Sequence, residues 1–216
     1  MAQKISNPPD ARALMHGARS IGNYDVAAAF ADLIDNSITA EASGISIICR
    51  YMDGEPVVTI KDTGIGMSKQ ELIAAMRPAS GDPEDERDIN DLGRFGWGMK
   101  SASFSQAKAL TVISKHSSGY SGAKWDLDNV DEWSMEVFDS TESRDILETF
   151  EAEILSETGT VIIWEKCDRL TDGGEIQSAS FNSIIAETRD KLAIIFHRYL
   201  SPKFPNRILL KLNGIE

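Results

Sequence analysis

The amino-acid sequence predicts an α+β protein in which helices cover one face of a mixed β-sheet. Helical spacing dominates the first half of the 216 residues, short β-branched runs dominate the second half, and no internal repeat is visible. Hydrophobic residues make up 42% and charged residues 26% of the chain, which excludes wholesale disorder. A chain of this length corresponds to one large domain or two small ones.

Charge and cysteine content exclude several classes of function. The chain has 22 Lys and Arg against 34 Asp and Glu, a net charge of −12. Because nucleic-acid binding needs a basic footprint, only a local basic patch could provide it. Two cysteines, Cys49 and Cys167, cannot build a disulfide framework and predict a reduced, cytosolic setting. The histidine spacing does not suit a structural zinc site, and we expect neither a signal peptide nor a membrane span.

The first elements are predicted by local patterns. Residues 10–19 follow a Pro-Pro-Asp start signal, and residues 24–40 are Ala-rich with apolar residues at helical spacing, so both predict helices. The runs 45–51 and 56–60 are separated by turn residues and predict a β-hairpin. Ser68 and the Glu three residues later form a capping box that predicts a helix over 69–77.

A long Gly-, Pro- and charge-rich loop is predicted at 78–96. A loop of this length inside a compact domain is usually functional or disordered. It leads through a Gly-rich turn into a helix that ends at about Gln106.

The remaining segments predict mostly strands and a final helix. The predicted strands are 109–114, 120–126, 132–138 and 159–164, and strand pairing is also predicted around 145–155. A helix is predicted at 180–199, and a last strand at 207–212 ends at Asn213-Gly214. Because this strand begins as the sequence ends, we predict a domain over 1–206 and the start of a further C-terminal domain at 207–216.

Four short motifs carry residues suited to chemistry. In the first, Asp32 and Asn36 lie one turn apart on the same face of the helix at 24–40. A carboxylate and a carboxamide oxygen suit Mg²⁺ and a water molecule to be activated. A solvated polar face would have the same pattern, so the pair alone leaves both interpretations open.

The second motif is Asp62-x-Gly64-x-Gly66, directly after a predicted strand. The glycines allow the backbone to turn sharply and approach a ligand, and Asp62 can accept a hydrogen bond from an exocyclic amine. A plain tight turn is the alternative.

The third motif is Gly93-x-x-Gly96-x-Gly98, followed by Met99 and Lys100 at the start of a helix. Such a helix start suits a phosphate group, although a flexible loop is the alternative. The order of the glycines in this motif and the elements that flank it differ from those of the Rossmann fingerprint. The motif also lacks the residue pattern of the Walker A loop. The fourth motif, Gly159-Thr160, opens a strand and has no meaning by itself.

In chain order the four motifs resemble the GHKL ATPase superfamily of gyrase B, the large heat-shock chaperones, histidine kinases and MutL. The resemblance covers about residues 10–200, and the segments 29–37 and 98–101 look most like the microrchidia (MORC) branch and its bacterial relatives. It implies the Bergerat fold, a two-layer α/β sandwich with a mixed β-sheet, helices on one face and a mobile ATP lid at 78–98.

The resemblance also implies ATP and Mg²⁺ as cofactors and assigns residues to them. Asp32 is the implied catalytic residue, Asn36 the metal ligand, and Asp62 the partner of the adenine amine, with Thr160 in the same network. The other implied nucleotide-binding residues are Gly64, Gly66, Met67, Gly93, Gly96, Trp97, Gly98, Met99 and Lys100.

One residue departs from the pattern of the superfamily. Its hydrolytic members carry Glu where this sequence has Asp32, which is one methylene shorter. A base displaced by about an ångström can cost about a hundredfold in rate. We therefore expect a weak ATPase.

The implied function is an ATP-operated conformational switch. ATP and Mg²⁺ bind, the lid closes, two copies form an N-terminal homodimer, and slow hydrolysis resets the state. In relatives the following transducer domain donates a lysine to the γ-phosphate. The MORC-like branch implies DNA manipulation or antiviral defence in the cytoplasm, or in the nucleus of a eukaryote, with DNA contacts elsewhere in the protein.

Two alternatives remain at the level of sequence. A non-catalytic nucleotide-binding module is compatible with the shortened Asp32. A histidine-kinase-type phosphotransferase is disfavoured, because kinases of the superfamily usually lack an acidic residue at this position and have a phospho-acceptor helix upstream.

Overall fold

The computed structural model describes residues 5–7, 9–20, 24–52, 55–78, 98–130, 132–170 and 178–216. The helices of this part are α1 (Ala11–Ala18), α2 (Val26–Thr39), α3 (Lys69–Met76), α4 (Gly98–Gln106), α5 (Ser140–Thr149), α6 (Ser178–Ile195) and α7 (His197–Leu200). The strands are β1 (Gly44–Met52), β2 (Glu55–Asp62), β3 (Ala109–His116), β4 (Gly119–Asp126), β5 (Glu136–Phe138), β6 (Gly159–Glu165) and β7 (Leu209–Leu212).

All described strands belong to one mixed sheet in the order β5-β4-β3-β6-β2-β1-β7. Neighbours are antiparallel except β1 and β7, which run parallel. The predicted hairpin of β1 and β2 is confirmed. β6, a run of Val, Ile and Trp that is buried on both faces, lies between β2 and β3. This insertion brings the start of β6 beside the end of β2, although about a hundred residues separate them.

The main helical layer covers one face of the sheet, as predicted. α2 packs against α4 and α6. Phe30 of α2 stacks on Trp164 of β6, with 5.4 Å between the ring centroids. Asp25 caps α2 by accepting from the Ala28 amide at 2.8 Å, and Lys191 of α6 donates to the same carboxylate at 2.7 Å. The helix that carries two of the predicted site residues is therefore fixed at its start.

The opposite face carries α5, where the sequence predicted strand pairing around 145–155. That prediction was wrong. Asp139 and Glu142 form a complete capping box that starts the helix, and Leu147 of α5 packs on a second apolar cluster. The strand predicted at 132–138 is reduced to the three residues of β5.

The C-terminal part of the described chain completes the sheet. The predicted final helix is divided at Phe196 into α6 and α7. β7 pairs with β1, and the Asn213 side chain accepts from the Cys49 amide at 2.7 Å. The described residues 207–216 thus contact the same sheet, while the boundary of a further domain at 207 stays a prediction.

Candidate nucleotide site

Asp62, the last residue of β2, is buried beside three hydrogen-bond donors. Its Oδ1 accepts from the backbone amides of Gly64 at 2.8 Å and Thr160 at 3.2 Å. Its Oδ2 accepts from the Ser37 hydroxyl of α2 at 3.2 Å. Burial raises the pKa of Asp62, and the hydrogen bonds from Gly64, Thr160 and Ser37 oppose that rise. The structure therefore brings together the predicted Asp62 and Thr160, which belong to separate motifs.

Close approaches of backbone around Asp62 explain its neighbouring glycines. A Cβ atom on Gly64 would lie 2.6 Å from the Ala40 carbonyl oxygen, and one on Gly66 would lie 2.1 Å from that of Lys115. Gly66 also has a φ of 69°, in the left-handed region. A Cβ on Gly159 would lie 2.4 Å from the Asp62 carbonyl oxygen. Glycine at these positions lets three chain segments meet around one carboxylate.

Ser114 of β3 extends the network and was missed by the sequence reasoning. Its hydroxyl accepts from the Met67 amide at 2.7 Å and lies 3.0 Å from the Thr160 hydroxyl. Ser114 therefore joins the predicted Met67 to Thr160. The available signal was a serine in the middle of an apolar strand, where a fully buried hydroxyl needs a specific partner.

The α2 residues differ in exposure. Asn36 is exposed, whereas Asp32 is half-buried and accepts from the Tyr24 phenol at 2.9 Å. Asp35 is also half-buried, and burial together with the nearby charge of Asp32 raises its pKa. Ser37 donates to Asp62 and so holds this turn of α2 against the end of β2.

The third motif is described only from Gly98 onward. Gly93, Gly96, Trp97 and residues 79–97 of the predicted lid lie outside the described residues. Gly98 starts α4, with nothing within 4 Å of a Cβ built there, and Met99 packs partly buried against the core.

Lys100 lies in an unexpected place for a phosphate contact. Its side chain is buried, with 1% of its surface exposed, and Nζ donates to the Ala75 carbonyl oxygen of α3. Burial lowers the pKa of Lys100 to about 8. The amine in this structure thus binds helix α3, and its contact with phosphate stays a prediction.

The donor set suits a cation shared with a ligand. Within the described residues there is no group of three or more His, Cys, Asp or Glu side chains that could hold a metal. Mg²⁺ prefers oxygen ligands and is commonly held by one or two protein oxygens plus substrate phosphates. Asn36 fits this mode, because its exposed side chain can present one amide oxygen to such a cation.

Membrane spanning has no support in the described helices, since none of them is both long and apolar enough to cross a bilayer.

Cys49 and Cys167 are buried free thiols.

Comparison of the sequence with known proteins identifies relatives. The family model for "Histidine kinase-, DNA gyrase B-, and HSP90-like ATPase" matches residues 24–158, more than half of the chain. Chaperone protein HtpG of Shouchella clausii is 30% identical over 115 residues, which are 50% of this chain and 18% of the chaperone. Chaperone protein HtpG of Alkaliphilus oremlandii is 40% identical over 94 residues, 38% of this chain and 14% of the chaperone.

A third relative belongs to the MORC branch. ATPase morc-1 of Caenorhabditis elegans is 28% identical over 87 residues, 40% of this chain and 10% of the relative. The aligned parts thus span less than a fifth of each of these relatives.

Proposed function

Because the chain belongs to the histidine kinase-, DNA gyrase B- and HSP90-like ATPase family, we propose that it binds ATP with Mg²⁺ and hydrolyses the ATP slowly. The observation that carries this proposal is the buried Asp62 at the end of β2. Its carboxylate is held by Gly64, Thr160 and Ser37, and its fixed position suits the recognition of a flat, amine-bearing base.

Asp62 favours adenine over guanine for an electrostatic reason. Oδ1 is occupied by two backbone amides, whereas Oδ2 accepts only from Ser37 among the described donors. A carboxylate oxygen has room for a further donor, such as the exocyclic amine of adenine. Guanine presents a carbonyl oxygen at the corresponding position, and two acceptors repel each other. Thr160 and Ser114 support the same wall of the site.

The phosphate end of the proposed site is assigned to α2. The exposed Asn36 amide oxygen is the proposed Mg²⁺ ligand. Bound Mg²⁺ supplies charge neutralisation for the phosphates. Asp32, one turn earlier on the same face, is the proposed acceptor for the proton of the attacking water. Its short side chain supports slow turnover, since an ångström of displacement can cost about a hundredfold.

The wider role that we propose is an ATP-operated switch. Binding of ATP closes the lid at 78–98 and favours an N-terminal homodimer, and a transducer domain beyond residue 207 completes the site with a lysine. Similarity to chaperones and to an ATPase of the MORC branch supports this proposal. For the whole protein we propose a cytoplasmic or nuclear role in DNA manipulation or antiviral defence, with DNA bound outside this acidic chain.

Calorimetric titration with a non-hydrolysable ATP analogue and Mg²⁺ tests the binding step. Asp62→Asn keeps the size of the side chain but places an amide donor toward the adenine amine. We expect its affinity to fall at least about tenfold, because a hydrogen bond to a charged group contributes about 1.5–3 kcal/mol. Asp139→Asn is the matched control: it makes the same change at the N-cap of α5 and should leave the affinity unaltered. Equal affinity of Asp62→Asn and wild type would contradict the proposed adenine site.

A non-catalytic nucleotide-binding module is the second candidate, favoured by the Asp at position 32. The two functions separate when enzyme is in excess over ATP and ADP is followed for hours. ADP that forms with wild type and at a much lower, still measurable rate with Asp32→Asn supports hydrolysis, whereas tight binding without ADP supports the module.

A further inference from the structure

Tyr24 contacts the proposed catalytic residue directly. Its phenol donates a hydrogen bond to Asp32 Oδ2 at 2.9 Å, from a half-buried position just before the Asp25 cap of α2. Burial and the charge of Asp32 both raise the pKa of Tyr24 above its usual value of 10.0. The phenol therefore stays protonated at physiological pH and remains a donor to Asp32.

Helix α4 holds Tyr24 at both its backbone and its side chain. The amide of Gln106, a buried residue at the end of α4, donates to the Tyr24 carbonyl oxygen at 3.1 Å and to the Ser105 hydroxyl at 3.0 Å. Ser101, in the first turn of α4, is a second hydrogen-bond partner of the Tyr24 phenol, and its hydroxyl lies 3.2 Å from the Gly98 carbonyl oxygen. The phenol thus lies between Asp32 and the helix that follows the predicted lid.

The hydrogen bond from Tyr24 affects the position of the short Asp32 side chain. A short carboxylate can serve as a base only if it is held in the position from which it reaches the water. The hydrogen bond from Tyr24 occupies Oδ2 and fixes the carboxylate, and among the described residues no donor occupies Oδ1, which the water can then reach. In the reaction the water oxygen forms a bond to the γ-phosphorus and its proton moves to Asp32 Oδ1. The bond from the γ-phosphorus to the bridging oxygen breaks, and ADP leaves with that electron pair. Tyr24 transfers no proton.

We propose that Tyr24 is the positioning residue for Asp32, and that Ser101 couples it to the start of α4. The inference rests on the proposed hydrolysis of ATP and deepens it, because it names a residue outside the four motifs on which the rate depends. It also names the contacts that join α4 to the base: Ser101 contacts the Tyr24 phenol, and the phenol contacts the Asp32 carboxylate.

Single-turnover hydrolysis by the whole chain tests the proposal with Tyr24→Phe, Asp32→Asn and the double variant. Tyr24→Phe removes only the hydroxyl. We expect the rate constant to fall by about ten- to a hundredfold, the range for a displaced base, while the Kd for the non-hydrolysable ATP analogue stays within about twofold. Because Tyr24 acts through Asp32, its substitution should cause no further loss in the Asp32→Asn background. A purely structural effect would lower the rate in both backgrounds.

Matched variants distinguish loss of the Tyr24–Asp32 hydrogen bond from the general effect of removing a hydroxyl group. Tyr120→Phe makes the same change on a tyrosine that contacts Arg144 and Lys115 on the α5 side of the sheet, and it should keep the wild-type rate. Ser101→Ala should lower the rate in the same direction as Tyr24→Phe. A readout without turnover is the pKa of the Tyr24 phenol, measured by NMR with ring-labelled tyrosine, which should fall in Asp32→Asn because a neighbouring negative charge is lost.

The possible outcomes distinguish the two proposals. Wild-type turnover together with an unchanged rate in Tyr24→Phe overturns the positioning role and leaves ATP hydrolysis intact. Equal losses from Tyr24→Phe in both backgrounds also overturn it. An unchanged Tyr24 titration in Asp32→Asn overturns the contact itself. If wild type binds the analogue but forms no ADP, the proposed hydrolysis fails, and the role of Tyr24 in it fails for that separate reason.

Discussion

Single residues determine how closely the backbone segments of the site approach one another. Gly66 has a positive φ, and its Cα faces the Lys115 carbonyl so closely that any side chain would overlap it. The residue directly after it, Met67, donates to Ser114, so a shift at Gly66 reaches the network of Asp62 and Thr160. Small backbone displacements here therefore affect stability and ligand binding together.

Gly66→Ala tests this coupling. The strained φ and the overlap with the Lys115 carbonyl should lower the free energy of unfolding by about 1–3 kcal/mol, and affinity for the ATP analogue should fall with it. Chemical denaturation and calorimetry measure the two effects. Gly17→Ala is the control: a Cβ at this helical position has nothing within 4 Å, and alanine should stabilise α1 by up to about 1 kcal/mol. Equal stabilities of the two variants would contradict the steric argument.

At the level of elements, helices α3 and α4 are joined across the two ends of the predicted lid. The last turn of α3 presents carbonyl groups that have no partner within the helix. Lys100 of α4 donates to the Ala75 carbonyl oxygen, and the Trp125 indole of β4 donates to that of Met76 at 2.9 Å. Lys100 therefore acts in this structure as a link between the helices that flank residues 79–97.

The buried Lys100 predicts a specific pH dependence of stability. Its pKa is lowered by burial from 10.5 to about 8, so between these values the unfolded chain binds more protons than the folded one. The cost of burying the charge is fully present below pH 8 and is relieved as the pH rises toward 10.5. The free energy of unfolding of wild type relative to Lys100→Met should therefore increase by up to about 3 kcal/mol across this window.

Urea denaturation of wild type and Lys100→Met at intervals from pH 6 to pH 10.5 measures this difference. Between pH 6 and pH 7 the two curves should run parallel, which serves as the internal control. Parallel curves up to pH 10.5 would show that Lys100 titrates normally in the folded protein.

At the level of the whole molecule, the sheet order assembles the site from distant segments. β6 lies between β2 and β3, so Asp62, Ser114 and Thr160 come to neighbouring strands. α2 then adds Ser37 from the helical layer. A ligand that contacts these elements at once should stabilise the folded state as a unit, because it binds the folded chain and not the unfolded one.

Thermal unfolding with the non-hydrolysable ATP analogue and Mg²⁺ measures this stabilisation. At a ligand concentration of 100 times Kd the gain is about 2.7 kcal/mol, which corresponds to a rise in Tm of about 5–10 °C for a chain of this size. Asp62→Asn, with an affinity at least about tenfold lower, should show at most about half of this rise under the same conditions, and a magnesium salt alone should not replace the nucleotide. A similar rise in Asp62→Asn would place the nucleotide away from β2.

The sequence by itself determined most elements and the residue types of the candidate site. The hairpin of β1 and β2, the start of α3 at Ser68 and the position of α2 follow from short-range patterns, since caps, turns and periodicity depend on neighbours within a few residues. The same kind of signal is present at Asp139, where a capping box marks the start of α5. The strand-rich surroundings nevertheless led to a prediction of strand pairing around 145–155, which was wrong.

Only the tertiary structure decided which partners the site residues have. Ser37 contacts Asp62, and Ser114 contacts Thr160, because strand order and helix packing bring them together, and such contacts leave no fixed spacing in the sequence. The burial of Lys100 likewise depends on the docking of α4 against α3. A local pattern specifies what a residue can do, whereas the packing of segments far apart in the chain specifies what it meets.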